Sequence, residues 1–538
     1  MRTAARDLLD VRALRAGQKE AVQAVLEGRD TLAVLPTGWG KSAIYQLAGE
    51  LLDGPTVVVS PLIALQADQL RAIAEHDELS AAAALNSTLR AAERRAVEDQ
   101  LADGSLEYLL LAPEQLTRSD TIEQLRDAGV SLFVVDEAHC VSDWGHDFRP
   151  DYLRLAAAIE AVGRPTVLAL TATAAPPVRT EIVERLGLRD PALVVHGFDR
   201  PNIHLAVRHV EDEDRHREAV VAACVRDAAT GPGILYVATR RQAETFASEL
   251  RIQGLHADHY HGGMTRDERT RVHDAFQGDE LDVVVATPAF GMGIDKPNVR
   301  FVHHAHVPDS LDSYHQEVGR AGRDGDPAVA ILFHRVADLG LRRFFNAGGG
   351  HDPTTIETLA TAIDGAEGDV DVAWLEDRAE LSATQLTRAL TSLEATGFAR
   401  LRPDGTVEQL GDGPDPDEVA EVVVTRAEAR DRYEASRLEM MQAYAETDRC
   451  RGRFLLDYYG QHTDELCGHC DRCDAGIEVA APVELPFALQ SRVEHPSLGL
   501  GTVTRYEEDR VVVVFDDAGY RTLSLEVVAD QDLLRAAP

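Results

Sequence analysis

Lysine is nearly absent from this sequence of 538 residues, in which only Lys19, Lys41 and Lys296 occur among 54 basic residues. Acidic residues number 91 and are spread along the chain, so the formal net charge is −37. A dispersed acidic, lysine-poor surface resembles the proteins of halophiles, whose molar salt screens surface repulsion within a few ångströms. One expectation for such a chain is that it binds protein. The other is that it binds a polyanion, which would then be held by stacking, hydrogen bonds and shape rather than by a basic field.

Long hydrophobic runs are also missing, and no segment approaches the about 20 apolar residues of a membrane helix. The first seven residues are charged and lack an apolar signal core, so we expect a cytoplasmic protein without a membrane partner. Cysteine is scarce, and four of the six cysteines lie between Cys450 and Cys473. This clustering fits a reducing compartment with one metal site better than a disulfide framework.

A glycine-rich turn, P-T-G-W-G-K-S at residues 36–42, follows a strand pattern at residues 30–35. Its glycines let backbone N–H groups wrap phosphates at a helix N-terminus, while Lys41 reaches the β- and γ-phosphates and the Ser42 hydroxyl binds Mg²⁺. The strict P-loop pattern has glycine at the position of Leu35. The predicted phosphate-binding residues are Thr37, Gly38, Gly40, Lys41 and Ser42.

Two adjacent carboxylates, Asp136 and Glu137, come directly after the β-favouring residues 133–135. The carboxyl end of a buried parallel strand is where ligands bind in open α/β sheets. We expect Asp136 to hold Mg²⁺ and Glu137 to orient or deprotonate the water that attacks a γ-phosphate. A solvated turn is the alternative for an isolated Asp-Glu pair, and the upstream P-loop argues against it.

An aromatic-rich loop follows the carboxylates, in the sequence A-H-C-V-S-D-W-G-H-D-F-R-P at residues 138–150. Its aromatic rings suit stacking on bases, and its arginine suits contact with phosphates. We therefore expect this loop to couple hydrolysis to nucleic-acid binding. The predicted coupling residues are His139, Trp144, His146, Phe148 and Arg149.

Strands alternate with helical stretches through the first half of the chain, which predicts a doubly wound parallel sheet. The pattern begins again after the hinge-like residues 198–202, so we expect a second α/β lobe without its own P-loop. Arg320 and Arg323 lie three residues apart on a predicted helix and share a face. Both can point at a γ-phosphate held by the first lobe once the lobes close. The alternative is a solvated basic helix face.

Four cysteines can close a metal site, because Cys467, Cys470 and Cys473 have C-x2-C-x2-C spacing and Cys450 comes from a predicted helical hairpin at residues 430–459. Four thiolates suit tetrahedral Zn²⁺. An iron–sulfur cluster is the alternative, since it uses the same ligands.

A winged-helix pattern precedes the hairpin, with Ser382 capping a helix that carries apolar residues at helical spacing and a hairpin turn at residues 404–405. A protein-docking helical domain is the alternative, because the segment contains few basic residues. The tail has short strands with turn signals and predicts a small SH3-like or Tudor-like barrel.

These stretches resemble the RecQ family of superfamily 2 DNA helicases over about residues 14–338 and 432–474. The most specific ones are D-E-A-H-C-V-S-D-W-G-H-D-F-R-P, F-D-R-P-N-I, A-F-G-M-G-I-D-K-P-N-V-R and Q-E-V-G-R-A-G-R-D-G. The resemblance implies ATP-driven 3′ to 5′ translocation on single-stranded DNA and unwinding of partly duplex DNA in recombination or repair, in the cytoplasm at the nucleoid. It further implies that Arg15 and Gln18 recognise adenine. The implied catalytic set is Lys41, Asp136, Glu137, Gln316, Arg320 and Arg323.

The expected architecture is α/β, with two tandem RecA-like lobes followed by three smaller units. The expected ranges are 1–198 and 199–345 for the lobes, 352–412 for the winged-helix-like domain, 418–476 for the zinc-binding hairpin and 487–538 for the barrel.

The chain departs from the family in several places. Val11 stands where an aromatic residue often stacks on adenine, Trp39 replaces a usual P-loop glycine, and the winged-helix-like domain precedes the zinc module instead of following it. The tail resembles the C-terminal module of UvrD-like helicases, which implies a protein-docking role. Two other functions remain open, namely a translocase that remodels RNA or protein–DNA complexes and a nonhydrolysing DNA-binding regulator.

Overall fold

A computed structural model of the chain contains two parallel β-sheets followed by smaller mixed and antiparallel units. It describes residues 6, 8–9, 13–61, 63–76, 79–86, 89–142, 149–291, 296–340, 353–366, 368–379, 381–402, 405–411, 413–476, 485–507 and 509–537. Within these ranges, the helices are too short or too polar for any of them to span a membrane.

Lobe 1 is a seven-stranded parallel sheet in the order β3-β4-β2-β5-β6-β1-β7. Most of its strands are four β-favouring residues buried on both faces, because helices cover the sheet from both sides. Short 3₁₀ turns lie at Pro113–Thr117, Ala138–Val141 and Pro150–Arg154. The elements are α1 (Ala16–Leu26), β1 (Thr31–Val34), α2 (Ser42–Gly49), β2 (Thr56–Val59), α3 (Ile63–Ala74), β3 (Ala82–Leu85), α4 (Ala91–Ala102), β4 (Tyr108–Leu111), α5 (Ser119–Ala128), β5 (Leu132–Val135), α6 (Leu155–Ala161), β6 (Thr166–Thr171), α7 (Pro176–Arg185) and β7 (Ala192–Val195).

Lobe 2 is a six-stranded parallel sheet in the order β10-β11-β9-β12-β13-β8. Its first strand, β8, lies at one edge and pairs with the last, β13. The elements are β8 (Ile203–His209), α8 (Glu213–Asp227), β9 (Gly233–Tyr236), α9 (Arg240–Ile252), β10 (Ala257–Tyr260), α10 (Arg266–Gln277), β11 (Val283–Ala286), β12 (Phe301–His304), α11 (Leu311–Val318) and β13 (Ala328–His334), with a 3₁₀ turn at Ala228–Thr230. The expected pair of tandem parallel lobes is confirmed.

The next unit packs three helices against a small antiparallel sheet in the order β14-β16-β15. Ser382 caps the third helix as predicted, by accepting a hydrogen bond from Gln385 N, and Gly397 (φ +75°) follows its end. The elements are α12 (Pro353–Asp364), β14 (Val370–Asp371), α13 (Val372–Ala379), α14 (Ala383–Ala395), β15 (Ala399–Leu401) and β16 (Thr406–Gln409).

A long helix, α15 (Val419–Glu446), connects this unit to α16 (Arg451–Tyr458) and to the short α17 (Asp471–Asp474). The hairpin was predicted to begin at Arg430, and the structure corrects this, because α15 begins eleven residues earlier. Val419 and Val423 bury their side chains in the core of the preceding unit, which extends the helix beyond the hairpin.

The C-terminal unit is a five-stranded antiparallel sheet in the order β20-β19-β18-β17-β21, with one short helix, which is consistent with the predicted small barrel. Strand β19 carries V-V-V-V-F at residues 511–515 and buries alternate residues in two different cores. Val511 and Val513 lie in the core of the unit, while Val512 and Val514 join the large core that includes the lobes and α15. The elements are β17 (Arg492–His495), β18 (Gly499–Glu507), β19 (Arg510–Phe515), β20 (Gly519–Ser524), α18 (Leu525–Gln531) and β21 (Arg535–Ala536).

One ion pair holds the winged-helix-like unit on lobe 1. The Arg154 guanidinium binds the Glu394 carboxylate of α14, and Arg154 Nη2 also donates to Leu401 O at 2.9 Å. Both side chains are mostly buried, at 23% and 13% exposure. Arg154 ends the 3₁₀ turn that follows the aromatic-rich loop, so the unit is attached next to the predicted coupling segment.

Replacing Glu394 with Ala should loosen this attachment by about 1–3 kcal/mol, less than the loss of a fully buried pair, because Arg154 keeps its bond to Leu401 O. Amide hydrogen exchange should rise in α14 and β15 but not in the strands of lobe 1. Asp377→Ala, an exposed change on α13, is the matched control. Unchanged exchange in α14 would show that the pair does not hold the unit in place.

Candidate nucleotide site and zinc centre

The P-loop lies at the carboxyl end of β1, and β6 separates that strand from β5, whose end carries Asp136. Parallel strands place these ends along one edge of the sheet. Gly38 and Gly40 both have φ of +76°, a conformation that glycine adopts without strain. Ser42 begins α2, and Lys41 Nζ donates to Leu35 O at 3.2 Å within the turn. The residues present fit a triphosphate cradle with Ser42 and Asp136 available to Mg²⁺.

Gln18 supports the P-loop from α1. Its amide nitrogen donates to Trp39 O at 3.0 Å and to Gly40 O at 2.9 Å, while its oxygen accepts from Arg15 N at 2.8 Å. A Cβ on Gly40 would lie 2.8 Å from Gln18 Nε2, so a side chain there would displace the Gln18 amide as well as strain the left-handed backbone. The structure therefore places Gln18 on the loop backbone, and its contact with adenine stays a prediction.

Trp39, which replaces a usual glycine, ties the P-loop to its surroundings. The Arg15 guanidinium lies 4.5 Å above the Trp39 ring, and Arg15 Nη1 donates to Gly38 O at 3.3 Å. On the other side, a Cβ on Gly197 would be 3.0 Å from Trp39 Cζ2. The tryptophan thus fills the space between α1 and the segment that leads to lobe 2. Sequence reasoning had found no role for this residue.

Asp136 is buried beside the P-loop. Its Oδ2 accepts from Gln69 Nε2 at 2.9 Å and its Oδ1 from Glu137 N at 3.0 Å. Burial raises the pKa of this carboxyl to about 6; the neighbouring Glu137 carboxylate raises it further and Lys41 opposes the shift. A carboxylate held in this way, next to a phosphate cradle, suits a bound divalent cation.

Glu137 has a left-handed backbone with φ of 49°, which is uncommon for a residue with a side chain. Strain of this kind often marks a functional site. Its Oε2 lies 3.4 Å from His139 Nδ1, which is 2.9 Å from Thr171 Oγ1, and that hydroxyl donates to Thr173 O at 3.2 Å. A continuous path of polar groups therefore runs from the proposed catalytic carboxylate to the end of β6.

Lobe 2 presents its arginine turn, residues 319–323, directly to the P-loop. A Cβ on Gly319 would lie 3.5 Å from Thr37 Cβ, and one on Gly38 would lie 3.0 Å from Arg323 Cγ. Arg320 is buried, and its charge acts on the phenol of Tyr236 in β9. The structure thus brings Arg323 to the phosphate cradle, and Gln316 lies half-buried on α11. The prediction that both arginines lie on a helix is wrong, because α11 ends at Val318 and residues 319–323 form a turn.

Arg200, from the segment between the lobes, was not predicted as a site residue, although it belongs to the F-D-R-P-N-I motif. Its guanidinium donates to Thr37 O at 3.4 Å in the P-loop. It also donates to three carbonyls of the arginine turn, Gly319 O at 3.2 Å, Ala321 O at 2.9 Å and Gly322 O at 3.2 Å. Burial lowers the pKa of Arg200 to about 10, and Arg323 and Arg15 add to the effect. One side chain therefore joins the two halves of the nucleotide site.

The aromatic-rich loop is described only at its ends. Trp144, His146 and Phe148 lie outside the described residues. Arg149 Nη1 donates to Pro61 O at 2.9 Å, and Tyr152 Oη donates to Asp136 O at 3.0 Å. The loop thus begins and ends close to the end of β5, while its contacts with nucleic acid stay a prediction.

The four predicted metal ligands come together between α16 and α17. The ligand atoms of Cys450, Cys467, Cys470 and Cys473 all lie within 4.8 Å of one another. Backbone N–H groups point at two of the sulfurs, with Cys467 N 3.3 Å from Cys450 Sγ and Cys473 N 3.4 Å from Cys470 Sγ. Such donors stabilise thiolates, the form that binds metal.

The spacing of the sulfurs fits zinc. Cys473 Sγ lies 3.4 Å from Cys470 Sγ, 3.7 Å from Cys450 Sγ and 3.8 Å from Cys467 Sγ. A sulfur tetrahedron around zinc, with Zn–S bonds of about 2.3 Å, has edges of about 3.8 Å. An iron–sulfur cluster contains several irons and needs its cysteines farther apart, so this geometry disfavours it. His469 Nδ1 lies 2.5 Å from Cys467 O, and His469 Nε2 lies 3.4 Å from the Asp199 carboxylate. Both ring nitrogens therefore have other partners, and His469 is not expected to bind the metal.

Comparison with protein families gives three matches along the chain. The DEAD/DEAH box helicase family matches residues 15–181, the helicase conserved C-terminal domain matches residues 216–325, and the RecQ zinc-binding domain matches residues 414–474. The zinc-binding match and the four assembled thiols together support Zn²⁺ as the metal.

Among curated relatives, the probable ATP-dependent DNA helicase RecS of Bacillus subtilis is 42% identical over 61% of this chain and 65% of its own length. The ATP-dependent DNA helicase RecQ of Pasteurella multocida is 34% identical over 85% of this chain and 60% of its own. RecQ of Bacillus subtilis is 33% identical over 85% and 64%. The match thus spans less than two thirds of the length of each relative.

Solved structures show the same fold. The helicase Lhr of Mycobacterium smegmatis, solved with ssDNA and AMP-PNP, has a TM-score of 0.51 and 23% identity over 79% of this chain and 61% of its own. The DUF1998 helicase MrfA, solved with DNA, has a TM-score of 0.54 and 17% identity over 78% and 63%. Fold and domain order define a two-lobed protein of the second helicase superfamily. Within that superfamily, the chain is similar to RecQ-family helicases, with which it shares the RecQ zinc-binding domain.

Arg200→Ala should lower the kcat of ATP hydrolysis about tenfold, because the arginine turn would lose its bridge to the P-loop and small misplacements of catalytic groups are costly. ADP affinity, which depends on the P-loop of lobe 1, should stay within about twofold. Arg208→Ala, an exposed change on β8, is the control. A parallel loss of ADP binding would indicate that Arg200 shapes the P-loop rather than joining the lobes.

Cys467→Ser should reduce bound zinc from one equivalent per chain to a small fraction and lower Tm, since a structural metal contributes its binding energy to folding. Elemental analysis of the purified chain checks both zinc and iron. Iron in stoichiometric amount in the unmodified protein would contradict the zinc assignment.

Proposed function

We propose that the chain is an ATP-dependent DNA helicase that couples hydrolysis to 3′ to 5′ translocation on single-stranded DNA and to duplex unwinding. Its place is in DNA recombination and repair, at the cytoplasmic nucleoid. The names of the relatives support DNA as the substrate, since RecS and both RecQ proteins are named as ATP-dependent DNA helicases. The titles of the Lhr and MrfA structures likewise record DNA.

The observation that carries the proposal is the site shared by the lobes. Lobe 1 contributes the phosphate cradle, Asp136 and Glu137, and lobe 2 contributes Arg320 and Arg323 from a turn that lies against Gly38. In this proposal Lys41 holds the β- and γ-phosphates, Glu137 orients the attacking water and the arginines stabilise charge on the transferred phosphoryl group. Hydrolysis then removes the γ-phosphate contact that favours the closed arrangement of the lobes. Each turnover would therefore move one lobe relative to the other.

DNA would reach this site through the end of β6 and the aromatic-rich loop. The path from Glu137 through His139 to Thr171 and Thr173 connects the hydrolytic carboxylate to the neighbouring strand end. Base stacking by the loop would reposition Arg149 and Tyr152, which contact Pro61 and Asp136. Stacking is also the mode of binding that suits an acidic chain with a net charge of −37.

The test is strand displacement from a short duplex with a single-stranded tail on either the 3′ or the 5′ side. We expect ATP-dependent unwinding of the 3′-tailed duplex only. Lys41→Ala should abolish unwinding and ATP turnover while DNA affinity is retained, because in this proposal the lysine acts on the phosphates of ATP and not on DNA.

Three outcomes would contradict the proposal. Turnover by the Lys41→Ala variant would contradict the P-loop assignment. Stimulation by RNA but not DNA would favour the RNA translocase. DNA binding without any ATP hydrolysis by the unmodified chain would favour a nonhydrolysing regulator.

A further inference from the structure

The C-terminal unit places one aromatic side chain deep inside the rest of the molecule. Tyr520, the second residue of β20, is 1% exposed and points away from the core of its own sheet. Its ring lies on Tyr458 of α16, with ring centroids 5.3 Å apart and an interplanar angle of 23°, and 6.2 Å from Tyr433 of α15. The Tyr520 ring of the C-terminal unit therefore packs against both α15 and α16.

The backbone of β20 comes very close to α15 at Gly519 and Tyr520. Tyr520 N donates to Ser436 Oγ at 3.0 Å, and that hydroxyl donates to Tyr433 O at 2.7 Å. A Cβ on Gly519 would lie 2.3 Å from Ser436 Oγ, so a glycine is needed for the strand to come this near to α15. The hydrogen bond from Tyr520 N and the close approach at Gly519 together fix how far the Tyr520 side chain reaches between α15 and α16.

A second contact fixes the unit against α16. The Arg505 guanidinium of β18 lies 3.7 Å above the Phe454 ring and is 2% exposed. Arg449, just before α16, donates to Tyr506 O. The face of β18 and β19 that carries these contacts is thus internal, and the predicted protein-docking role can concern only the outer surface of the unit.

The next contact leads from Tyr458 into lobe 2. Tyr458 Oη donates to Asp312 Oδ2 at 2.6 Å, and Arg437 Nη2 from α15 lies 3.2 Å from the same oxygen. Asp312 and Arg437 are 5% and 6% exposed. A buried ion pair is costly to disturb, because separation leaves a charge without water or partner.

Asp312 is the second residue of α11, the helix that runs from Leu311 to Val318 and leads straight into the turn with Arg320 and Arg323. Ser310 caps its start by accepting from Ser313 N. A helix is stiff over two turns, so a shift at Asp312 is carried to the arginines that face the P-loop.

We propose that the C-terminal unit is an internal brace of the nucleotide site, in which Tyr520 acts through Tyr458 and Asp312 to position the arginine turn. Tyr520 and Asp312 are positioning residues and touch no substrate. The catalytic part of this inference rests on the proposed ATPase function, whereas the mechanical part concerns the order of α11 and stands without it.

The test compares Tyr520→Ala with Tyr520→Phe in the full chain. Tyr520→Ala should lower the kcat of DNA-stimulated ATP hydrolysis about tenfold, with the KM for ATP and ADP affinity within about twofold, because the P-loop is untouched. Amide hydrogen exchange at residues 311–323 should increase. Tyr520→Phe keeps the ring and should behave like the unmodified protein, as should Val527→Ala, a change on the exposed side of the unit.

Ser436→Ala provides a milder variant if Tyr520→Ala fails to fold, since it removes the hydrogen bonds from Tyr520 N and to Tyr433 O but keeps the Tyr520 ring. It should show the same pattern with smaller changes. In a double-mutant cycle, Tyr520→Ala and Asp312→Asn should be non-additive in kcat, as expected for residues that act through one another. Additive effects, or unchanged exchange at residues 311–323, would overturn the brace. An unmodified chain without ATPase activity would contradict the proposed function alone, and the exchange experiment would still decide the brace.

Discussion

The nucleotide site depends on one half-buried guanidinium, that of Arg200, which joins the two lobes. Arg200 donates to a P-loop carbonyl and to three carbonyls of the arginine turn. Backbone carbonyls cannot move independently of their loops, so the position of Arg200 fixes how near Arg323 comes to Gly38. The P-loop in turn takes its shape from Gln18 and from the Trp39 ring. Each half of the site is therefore built separately and then aligned by the segment between them.

That segment is itself held by the zinc-binding part of the chain. Phe198 stacks on Tyr459 with ring centroids 4.1 Å apart and an interplanar angle of 2°. Arg179 of lobe 1 donates to Tyr459 O at 2.5 Å, and Gln461 Nε2 donates to Val195 O at 3.0 Å. The chain after α16 thus touches lobe 1 and the interlobe segment, while α15 and α16 touch lobe 2 through Asp312. A change in the angle between the lobes would therefore disturb these contacts.

Local chemistry explains which features the sequence predicted. Four features could be predicted because each is a short pattern in which one interaction determines the residue types. These features are the P-loop, the Asp-Glu pair, the cysteines and the Ser382 cap. Strand β3, with the sequence A-A-A-L, was missed because alanine favours helix and only pairing with β4 makes it a strand. The roles of Arg200 and Trp39 and the early start of α15 depend on partners far along the chain, which no local pattern records. Tyr520 is a further case, because its partner helices precede it by more than 60 residues.

In the proposed function, DNA binding favours closure of the site between the lobes and so speeds ATP hydrolysis. The measurement to make is the rate of ATP hydrolysis with and without single-stranded DNA. The rates should be compared from about 0.1 M to several molar KCl, because screening governs binding by so acidic a chain. We expect strong stimulation by DNA that survives at molar salt, since stacking and hydrogen bonds would hold the DNA. Equal rates with and without DNA at every salt concentration would contradict it.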